Sequence, residues 1–331
     1  MSKVNNPGEI MQMANAFRVS RVLLTAYKLD LFTALDKGEK TSGETASILN
    51  TAPRATDRLM NALTALGLLE KKDNKFTNTS VTSQFLVKGK STYMGGLGHT
   101  VNLWDTWSTM TEAVRKGSTV LMREPVNERQ SGWLESFIAA MHMRGREQAQ
   151  KVASAIDLAN VSKVLDVGGG SGILSFGFVN AKKGLKATIF DLPNVINLTK
   201  KYIEAEGYTG QVDTVTGDYL KDELGSGYDL VLLSAIIHSN SPDENKLLFR
   251  KCVKALNTGG QLVVLDHVMS EDRTEPLTGA LFALNMLVGT PEGDTYTESE
   301  IKDWMKEAGL SDIKRKNTDI GNDILIGYLN R

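Results

Sequence analysis

Glycines spaced to bring backbone close to a ligand stand near the middle of the chain. The apolar run 164–167 leads into Gly168, Gly170 and Gly172, and a helix is predicted over 171–180. Glycine lets a chain turn sharply and approach a ligand where a Cβ would collide. The free N–H groups that open the helix suit a carboxylate or a phosphate. This segment therefore predicts a ligand-binding loop.

Two carboxylates are expected beside this loop. Asp191 ends the next predicted strand, where an acid can accept both hydroxyls of a ribose. Asp218 follows Gly217 after a further strand and is placed at the same edge of the sheet, with helix capping as its alternative role. No Lys-Ser/Thr follows the glycines, as a Walker loop requires, and the spacing differs from a dinucleotide fingerprint. The pattern predicts a pocket for an adenosine-bearing cofactor, and a tight turn without a ligand is the alternative.

An imidazole and a carboxylate are predicted near that pocket. His238 follows the apolar segment 229–237, and Asp266 follows strand residues 262–265. Both stand at carboxyl ends of strands, where ligands collect in parallel sheets. Neutral imidazole can take a proton from a hydroxyl, and Asp266 can orient its other nitrogen. A hydrogen-bonded histidine without a chemical role is the alternative, and the adjacent His267 is interpreted as structural.

Alternating strands and helices must position these groups. Strands are expected at 163–167, 186–191, 212–216, 229–233 and 261–267, and helices at 171–180, 195–206, 243–256 and 298–309. Such alternation predicts an α/β fold, a doubly wound and mostly parallel sheet with helices on both faces. Segments 313–318 and 323–329 around a turn at 319–322 predict a C-terminal antiparallel hairpin.

The first part of the chain is predicted to be helical. Apolar spacing indicates a helix over 10–27, Thr41 and Glu44 form a capping-box pattern, and a helix is expected over 53–69. A polar hairpin over 70–76 completes a winged-helix pattern. A second helical block is expected after it, with a loop over 116–130. We therefore expect two domains joined by a connector: a winged-helix domain at 1–95, a helical connector at 96–158 and the α/β domain at 159–331.

Composition excludes several classes of protein. The 331 residues suit about two domains, with 41% apolar and 23% charged residues as in soluble globular proteins. The net charge of −1 gives no general attraction to nucleic acid or anionic membranes. Cys252 is the only cysteine, which excludes an internal disulfide and a cysteine-based zinc site. No signal-peptide or membrane-span pattern occurs, so a cytoplasmic location is expected.

Several motifs together resemble those of a known family. They are Gly168-Gly169-Gly170-Ser171-Gly172, Asp191-Leu192-Pro193, Gly217-Asp218-Tyr219, the block from Ile236-Ile237-His238 to Asp266, and Asn285-Met286-Leu287-Val288. In this order they resemble the S-adenosylmethionine-dependent O-methyltransferases of the acetylserotonin, caffeate and bacterial antibiotic-tailoring type. The resemblance covers nearly the whole chain and implies the class I methyltransferase fold, with a Rossmann-like sheet.

The resemblance implies how S-adenosylmethionine, and S-adenosylhomocysteine as product, would be held. Gly168 and Gly170 would pack against the methionine part and ribose, and Asp191 would bind the ribose hydroxyls. Leu192 would lie beside adenine, with Asp218 at its exocyclic amine and Tyr219 against its ring. The remaining residues of the predicted cofactor site are Asp166, Gly172 and Ser234.

The family arrangement also implies a substrate pocket and a dimer. Aromatic and methionine side chains suit a planar substrate, although most such residues in proteins belong to the core. The residues expected at the pocket are Trp104, Trp107, Trp133, Phe137, Met141, Phe282, Asn285 and Met286. The N-terminal module would interlock two subunits into a homodimer. No metal is expected, since no ligand set is clustered in the sequence.

The sequence departs from the family pattern at several positions, so alternatives stay open. Asp266 replaces the more usual Glu, Ser239 and Asn240 replace Asp-Trp, and Thr295 stands where a second carboxylate is found, with Glu298 close by. The chain is predicted to O-methylate a small aromatic hydroxyl compound with His238 as base. A relative with hydroxylase or decarboxylase chemistry is the alternative.

A DNA-binding regulator is a further alternative, suggested by the winged-helix pattern. A reading helix presents Arg, Lys, Asn or Gln above a basic footprint. The predicted helix 53–69 offers Arg54, Arg58 and Asn61 but is dominated by Leu and Ala. The chain is therefore expected to bind neither nucleic acid nor membrane.

Overall fold

The chain forms two compact units in the computed structural model. The structure describes residues 3–121, 131–318 and 321–330. Their contacts divide the chain into a unit at 1–102 and a second unit at 103–331. The boundaries expected after residues 95 and 158 stay predictions.

The first unit is mainly helical and carries a small antiparallel sheet, in which β3 lies between β1 and β2. Its elements are α1 (Pro7–Asn15), α2 (Phe17–Lys28), α3 (Leu31–Ala34), β1 (Lys40–Thr41), α4 (Ser42–Leu49), α5 (Pro53–Ala65), β2 (Leu69–Lys72), β3 (Lys75–Asn78) and α6 (Ser80–Phe85), followed by α7 (Leu97–Trp107), which runs past residue 102. The predicted capping box opens α4, with Thr41 N donating to Glu44 Oε2 at 2.7 Å.

Two helix predictions for this unit are wrong in their bounds. The helix expected over 10–27 is interrupted at Ala16, whose N–H donates to Met13 O, three residues back, at 3.2 Å. The helix expected over 53–69 ends at Ala65, because Gly67 adopts a φ of +73° and Leu69 already begins β2. Within this unit, apolar side chains of α1 and α2 stay exposed, with Met13 63% and Phe17 53% accessible.

The second unit is an α/β domain. Its remaining elements are α8 (Met110–Lys116), α9 (Ser131–Ala155), β4 (Lys163–Val167), α10 (Ile173–Ala181), β5 (Lys186–Asp191), α11 (Pro193–Ala205), β6 (Val212–Thr216), β7 (Tyr228–Ser234), α12 (Pro242–Ala255), β8 (Leu256–Asp266), β9 (Val268–Met269), α13 (Leu277–Gly289), β10 (Tyr296–Thr297), α14 (Glu298–Glu307), β11 (Leu310–Lys316) and β12 (Asp323–Leu329). Part of the predicted loop, residues 122–130, and Asp319 and Ile320 of the predicted turn lie outside the described residues.

A seven-stranded sheet forms the centre of the described part of this unit. Its strand order is β11-β12-β8-β7-β4-β5-β6. The five adjacent strands β8, β7, β4, β5 and β6 are parallel to one another, and β12 is antiparallel to both of its neighbours. Apolar clusters cover both faces, as expected for a sheet with helices on either side. The predicted α/β fold with a terminal hairpin is confirmed.

Two expectations about strands need correction near the site. The strand predicted at 229–233 spans Tyr228–Ser234, but the apolar segment 229–237 does not continue as a strand to His238, because Ala235 adopts a φ of +55° and turns the chain. The strand expected to begin at Gln261 begins at Leu256, since its first residues pair with β7 across an irregularity in register. The first correction places His238 in a short 3-10 turn, Ile237–Ser239, rather than directly after a strand.

The close approach of α9 and α10 gives a test of this packing. A Cβ on Gly177 would lie 2.7 Å from the backbone oxygen of Ala149, whereas a Cβ on Gly132 would meet nothing within 4 Å. We expect Gly177→Ala to reduce the free energy of unfolding by about 1–3 kcal/mol through overpacking. Denaturant unfolding with Gly132→Ala as the matched control measures this. Equal midpoints for the two variants would contradict the packing argument.

Candidate active site

The glycine loop turns tightly against its neighbours. Gly168 and Gly172 adopt φ values of +68° and +81°. A Cβ on Gly168 would lie 2.2 Å from the Ile236 side chain, and one on Gly172 would lie 2.4 Å from the Ile189 side chain. Gly172 caps α10, so the helix begins two residues later than predicted. Side chains at these two positions would displace the loop.

Space stays open beside the middle of the loop. A Cβ on Gly170 would have its nearest neighbour, Ile138 Cδ1, at 3.6 Å, which is ordinary contact. The backbone here has a φ of +58°, which favours glycine. At this position the positive φ, rather than a steric clash of the Cβ, therefore explains the glycine.

Asp191 is bonded to the loop, as its place at the end of β5 requires. Its Oδ2 accepts a hydrogen bond from Gly170 N at 2.9 Å, and its Oδ1 accepts one from Leu192 N at 2.7 Å. Burial raises the pKa of the carboxyl to about 6, although both backbone bonds lower it. Each carboxylate oxygen can accept a second bond, so the group fits a ribose diol.

Asp166 lies beneath the loop. It is 1% exposed, and its Oδ2 accepts a bond from Ser175 Oγ at 2.7 Å. A Cβ on Gly169 would lie 2.7 Å from the Asp166 carboxyl carbon. Burial raises the pKa of this carboxyl to about 7, and the charge of Asp191 adds to the increase. The observed contacts of Asp166 are with the loop and α10.

An apolar cluster surrounds Leu192, the residue expected beside adenine. Trp133, Phe137 and Leu192 pack against buried residues of α9 and α11. The rings of Trp133 and Phe137 stack at 5.4 Å with 12° between their planes. The structure thus brings Phe137, which the sequence assigned to the substrate pocket, to the predicted adenine side.

Asp218 and Tyr219 lie in a turn after β6. Asp218 Oδ1 accepts from Leu220 N at 3.0 Å, and its Oδ2 pairs with Lys221 at 2.9 Å. Burial opposes ionisation here, but the bonds from Lys221 and Leu220 lower the pKa of the Asp218 carboxyl. Tyr219 is half-buried, and its hydroxyl donates to Asn240 Oδ1 at 3.0 Å.

His238 and Asp266 meet as the sequence predicted. His238 Nδ1 lies 2.8 Å from Asp266 Oδ1 and 3.0 Å from Oδ2. The two residues are 8% and 1% exposed. Burial alone would raise the pKa of the Asp266 carboxyl, but the charge and hydrogen bond of His238 outweigh it and lower that pKa. The Asp266 side chain is shorter than the more usual glutamate, but it is long enough to bond to the imidazole.

Asparagines that the sequence analysis did not identify as functional hold the turn that carries His238. Asn245 Nδ2 donates to Ile237 O at 2.8 Å, and Asn240 Nδ2 donates to Asn245 Oδ1 at 3.1 Å. Tyr296 donates its hydroxyl hydrogen to Asn240 O at 2.5 Å. With the bond from Tyr219, these contacts connect the predicted adenine side to the histidine turn. The capping box that opens α12 just after Asn240 was the available signal for a fixed local geometry.

The residues expected at the substrate pocket differ in their contacts and burial. Phe282 contacts the His238 ring edge-on at 4.7 Å. Trp107 Nε1 donates to Asn285 Oδ1 at 2.8 Å, and Met286 is buried at 7% exposure. Trp104 on α7 and Met141 on α9 are both half-buried.

Both candidates for the second carboxylate position make their side-chain bonds with residues other than His238. Thr295 is 2% exposed, and its hydroxyl lies 3.4 Å from Gly279 O. Glu298 pairs with Lys302 at 2.5 Å and with Arg315 at 2.7 Å, and these bonds lower the pKa of its carboxyl.

Ser234 ends β7 opposite Leu265 and is half-buried. Its place puts a small polar side chain at the carboxyl edge of the sheet, next to the turn at Ala235.

The described residues contain neither a metal-ligand cluster nor a membrane-spanning helix. No group of three His, Cys, Asp or Glu side chains in ranges 3–121, 131–318 and 321–330 is placed to hold a metal ion. In the same ranges, no helix combines the length and apolar character needed to cross a membrane.

Comparison with known proteins places the chain in a family. Residues 110–311 match the model of the O-methyltransferase domain, and residues 11–88 match that of the O-methyltransferase dimerisation domain. The chain belongs to the S-adenosylmethionine-dependent O-methyltransferases. The predicted family and enzyme class are confirmed.

Individual relatives agree with this assignment. The chain is 34% identical to the 3-hydroxy-5-methyl-1-naphthoate 3-O-methyltransferase of Streptomyces sahachiroi, over 93% of this chain and 90% of that protein. It is 30% identical to the tetracenomycin polyketide synthesis 8-O-methyl transferase TcmO of Streptomyces glaucescens, over 98% and 97%. The crystal structure of human N-acetylserotonin methyltransferase in complex with S-adenosylmethionine has a TM-score of 0.85 at 26% identity and full coverage of both chains.

The raised pKa of Asp191 predicts how cofactor affinity depends on pH. In its predicted role, the ionised carboxylate of Asp191 would accept the ribose hydroxyls, and its pKa of about 6 means that it gains a proton as the pH falls through 6. We expect the Kd for S-adenosylhomocysteine to be constant above pH 7 and to rise below pH 6, by up to about tenfold per pH unit for one proton. Calorimetric titrations from pH 5 to 8 measure it.

Matched variants identify the group that titrates. Asp191→Asn is expected to bind weakly with a flat pH profile, whereas Asp166→Asn is expected to keep the slope. A flat profile in the unmodified protein would show that Asp191 does not control affinity.

Proposed function

We propose that this protein transfers a methyl group from S-adenosylmethionine to the hydroxyl oxygen of a small aromatic compound, with His238 as general base. The observation that carries the proposal is the buried His238–Asp266 hydrogen bond at the carboxyl edge of the sheet. Ligands bind at this edge in open α/β sheets. The first two relatives' names, which specify a naphthoate and a polyketide, support an aromatic acceptor.

The hydrogen bond to Asp266 sets the tautomer of His238. Since Nδ1 faces an ionised carboxylate, it carries the hydrogen and donates it, which leaves the lone pair on Nε2. Nε2 takes the proton of the substrate hydroxyl as the hydroxyl oxygen accepts the methyl group. Asp266 acts through His238 as a positioning residue and stabilises the imidazolium that forms.

The glycine loop and its neighbours would hold the cofactor. Gly168 and Gly170 offer bare backbone to the methionine part and ribose, Asp191 accepts the ribose hydroxyls, and Leu192 covers adenine. Asp166, buried below, keeps the loop in place by its bond with Ser175. When bound, S-adenosylmethionine supplies a methyl group already activated by a sulfonium.

The remaining site residues have supporting roles in this proposal. Gly172 shapes the loop, Asp218 and Tyr219 face adenine, and Ser234 lines the edge of the sheet near the turn at Ala235.

The substrate would lie against Phe282, which contacts the ring of His238. Asn285 and Met286 on α13 and Trp107 on α7 form the surrounding surface, since Trp107 is bonded to Asn285. Trp104 and Met141 complete the proposed pocket, whereas Phe137 lies beside Leu192 on the adenine side. Aromatic faces and a flexible thioether suit a planar, irregular substrate.

Loss of the base tests the chemical step. We expect His238→Ala to lower kcat by about 10²–10⁴-fold, with cofactor affinity near that of the unmodified enzyme. Mass spectrometry with labelled cofactor and a panel of phenols and hydroxylated polyketides measures the transfer. Glu298→Gln is the control, since Glu298 pairs with Lys302 and Arg315. Unchanged turnover in His238→Ala would remove this residue from the mechanism.

The dimerisation-domain match also supports a homodimer formed by the first unit. Apolar side chains of α1 and α2, among them Met13 and Phe17, are more than half exposed within one chain. A stripe of this kind is stabilised when a second copy covers it.

Charges placed on this stripe test the dimer. We expect the double variant Met13→Glu, Phe17→Glu to be a monomer by light scattering after size exclusion, because a dimer would bury both carboxylates. Val215→Glu is the control, because it adds a carboxylate at a residue that is 43% exposed but belongs to β6 of the second unit. A double variant that keeps the mass of a dimer would exclude this surface as the interface.

A further inference from the structure

His267 is a buried histidine beside the proposed base. The residue is 6% exposed, and no described residue makes a hydrogen bond with its Nδ1, which is itself buried. The sequence analysis interpreted it as structural. A structural role for a buried imidazole normally includes hydrogen bonds to its buried nitrogens, so this ring needs another explanation.

The neighbouring carboxylate is already engaged. Asp266 Oδ1 accepts from the backbone N of His267 at 2.8 Å and from His238 Nδ1 at 2.8 Å. The carboxylate therefore serves the neighbouring ring and the backbone, and not the His267 side chain. A buried polar atom without a partner is unfavourable, and a hydrogen bond to a ligand atom would remove this cost.

Phe282 connects His267 to the site of the reaction. Its phenyl ring lies 4.6 Å from the His267 ring, at 37°, and 4.7 Å from the His238 ring, at 83°. One phenyl ring thus contacts both imidazoles. A planar substrate that lies against Phe282 with its hydroxyl at His238 has another part of its ring system on the side of His267.

The charge state of His267 determines what it can bind. Burial lowers the pKa of this imidazole, and the charges of His238 and Arg144 oppose its protonation further, against the attraction of Asp266. The ring is therefore neutral near pH 7 and offers one N–H donor. Such a donor pairs with an acceptor oxygen of a ligand.

We propose that His267 is a substrate-binding residue, which donates a hydrogen bond to a carbonyl or carboxylate oxygen on the aromatic ring that bears the reacting hydroxyl. The inference rests on the proposed function and narrows its substrate class. The enzyme acts on hydroxyarenes that carry such an oxygen and discriminates against analogues without it. A site with a buried polar group rejects a ligand that leaves this group unpaired.

Binding of matched compounds tests this without any turnover. The protein loaded with S-adenosylhomocysteine is titrated calorimetrically with 2-naphthol, with 3-hydroxy-2-naphthoate and with 3-hydroxy-1-naphthoate, which differ only in the carboxylate. We expect at least one naphthoate to bind about 10- to 100-fold more tightly than 2-naphthol. The methyl ketones of the same ring positions distinguish a carbonyl from a carboxylate oxygen.

Variants at position 267 assign the preference to the imidazole. His267→Leu removes both nitrogens and is expected to bring the affinity ratio of naphthoate to naphthol close to one. His267→Gln keeps an N–H donor and is expected to retain part of the ratio. The melting temperature of each variant shows whether it is folded, and the comparison of compounds on the unmodified protein does not depend on either variant.

Three outcomes would overturn the inference. They are equal affinities of the matched compounds, an unchanged affinity ratio of naphthoate to naphthol in folded His267→Leu, or no binding of any of the carboxylates and ketones. A separate assay follows the labelled methyl group. Transfer to 2-naphthol and to the naphthoates at equal efficiency would leave the proposed function intact and refute the role of His267. Tight binding with the expected ratio but no methyl transfer to any hydroxyl compound would refute the proposed function instead.

Discussion

The hydrogen bond between His238 and Asp266 depends on the order of strands in the sheet. Asp266 is the last residue of β8 and His238 follows β7, its parallel neighbour, so the two side chains leave the same edge of the sheet. The proposed base therefore lies in a buried turn between these two strands rather than in a loose loop. A site carried by adjacent buried strands is held within narrow geometric limits.

A network of asparagine side chains holds the His238 turn in place against backbone strain. Ala235 adopts a φ of +55°, which is unfavourable for a residue with a Cβ. Asn240 and Asn245 bond to each other, and Asn245 bonds to Ile237 O inside the turn. Since Tyr219 also bonds to Asn240, groups proposed to meet adenine and the base share one set of hydrogen bonds. Such buried networks fix one conformation when every member is satisfied.

Local patterns in the sequence were enough to predict the strands and the residues at their ends. Apolar runs located the strands, and strand ends placed Asp191, His238 and Asp266 together, because parallel strands bring their carboxyl ends to one edge. Other features depend on contacts between distant segments. The packing of Phe137 beside Leu192 depends on how α9 packs against α11, and the environment of the His267 ring depends on which groups bond to Asp266. Neither can be read from spacing along the chain.

Asp191 holds the glycine loop by one backbone hydrogen bond, from Gly170 N, and its other carboxylate oxygen accepts a bond from Leu192 N. Both carboxylate oxygens are therefore fixed in direction by main chain that belongs to the loop and to the start of α11. In the proposed site, a ligand hydroxyl that bonds to this carboxylate is positioned relative to the path of the main chain, and not only relative to one side chain. A substitution that moved Gly170 would displace the acceptor together with the loop.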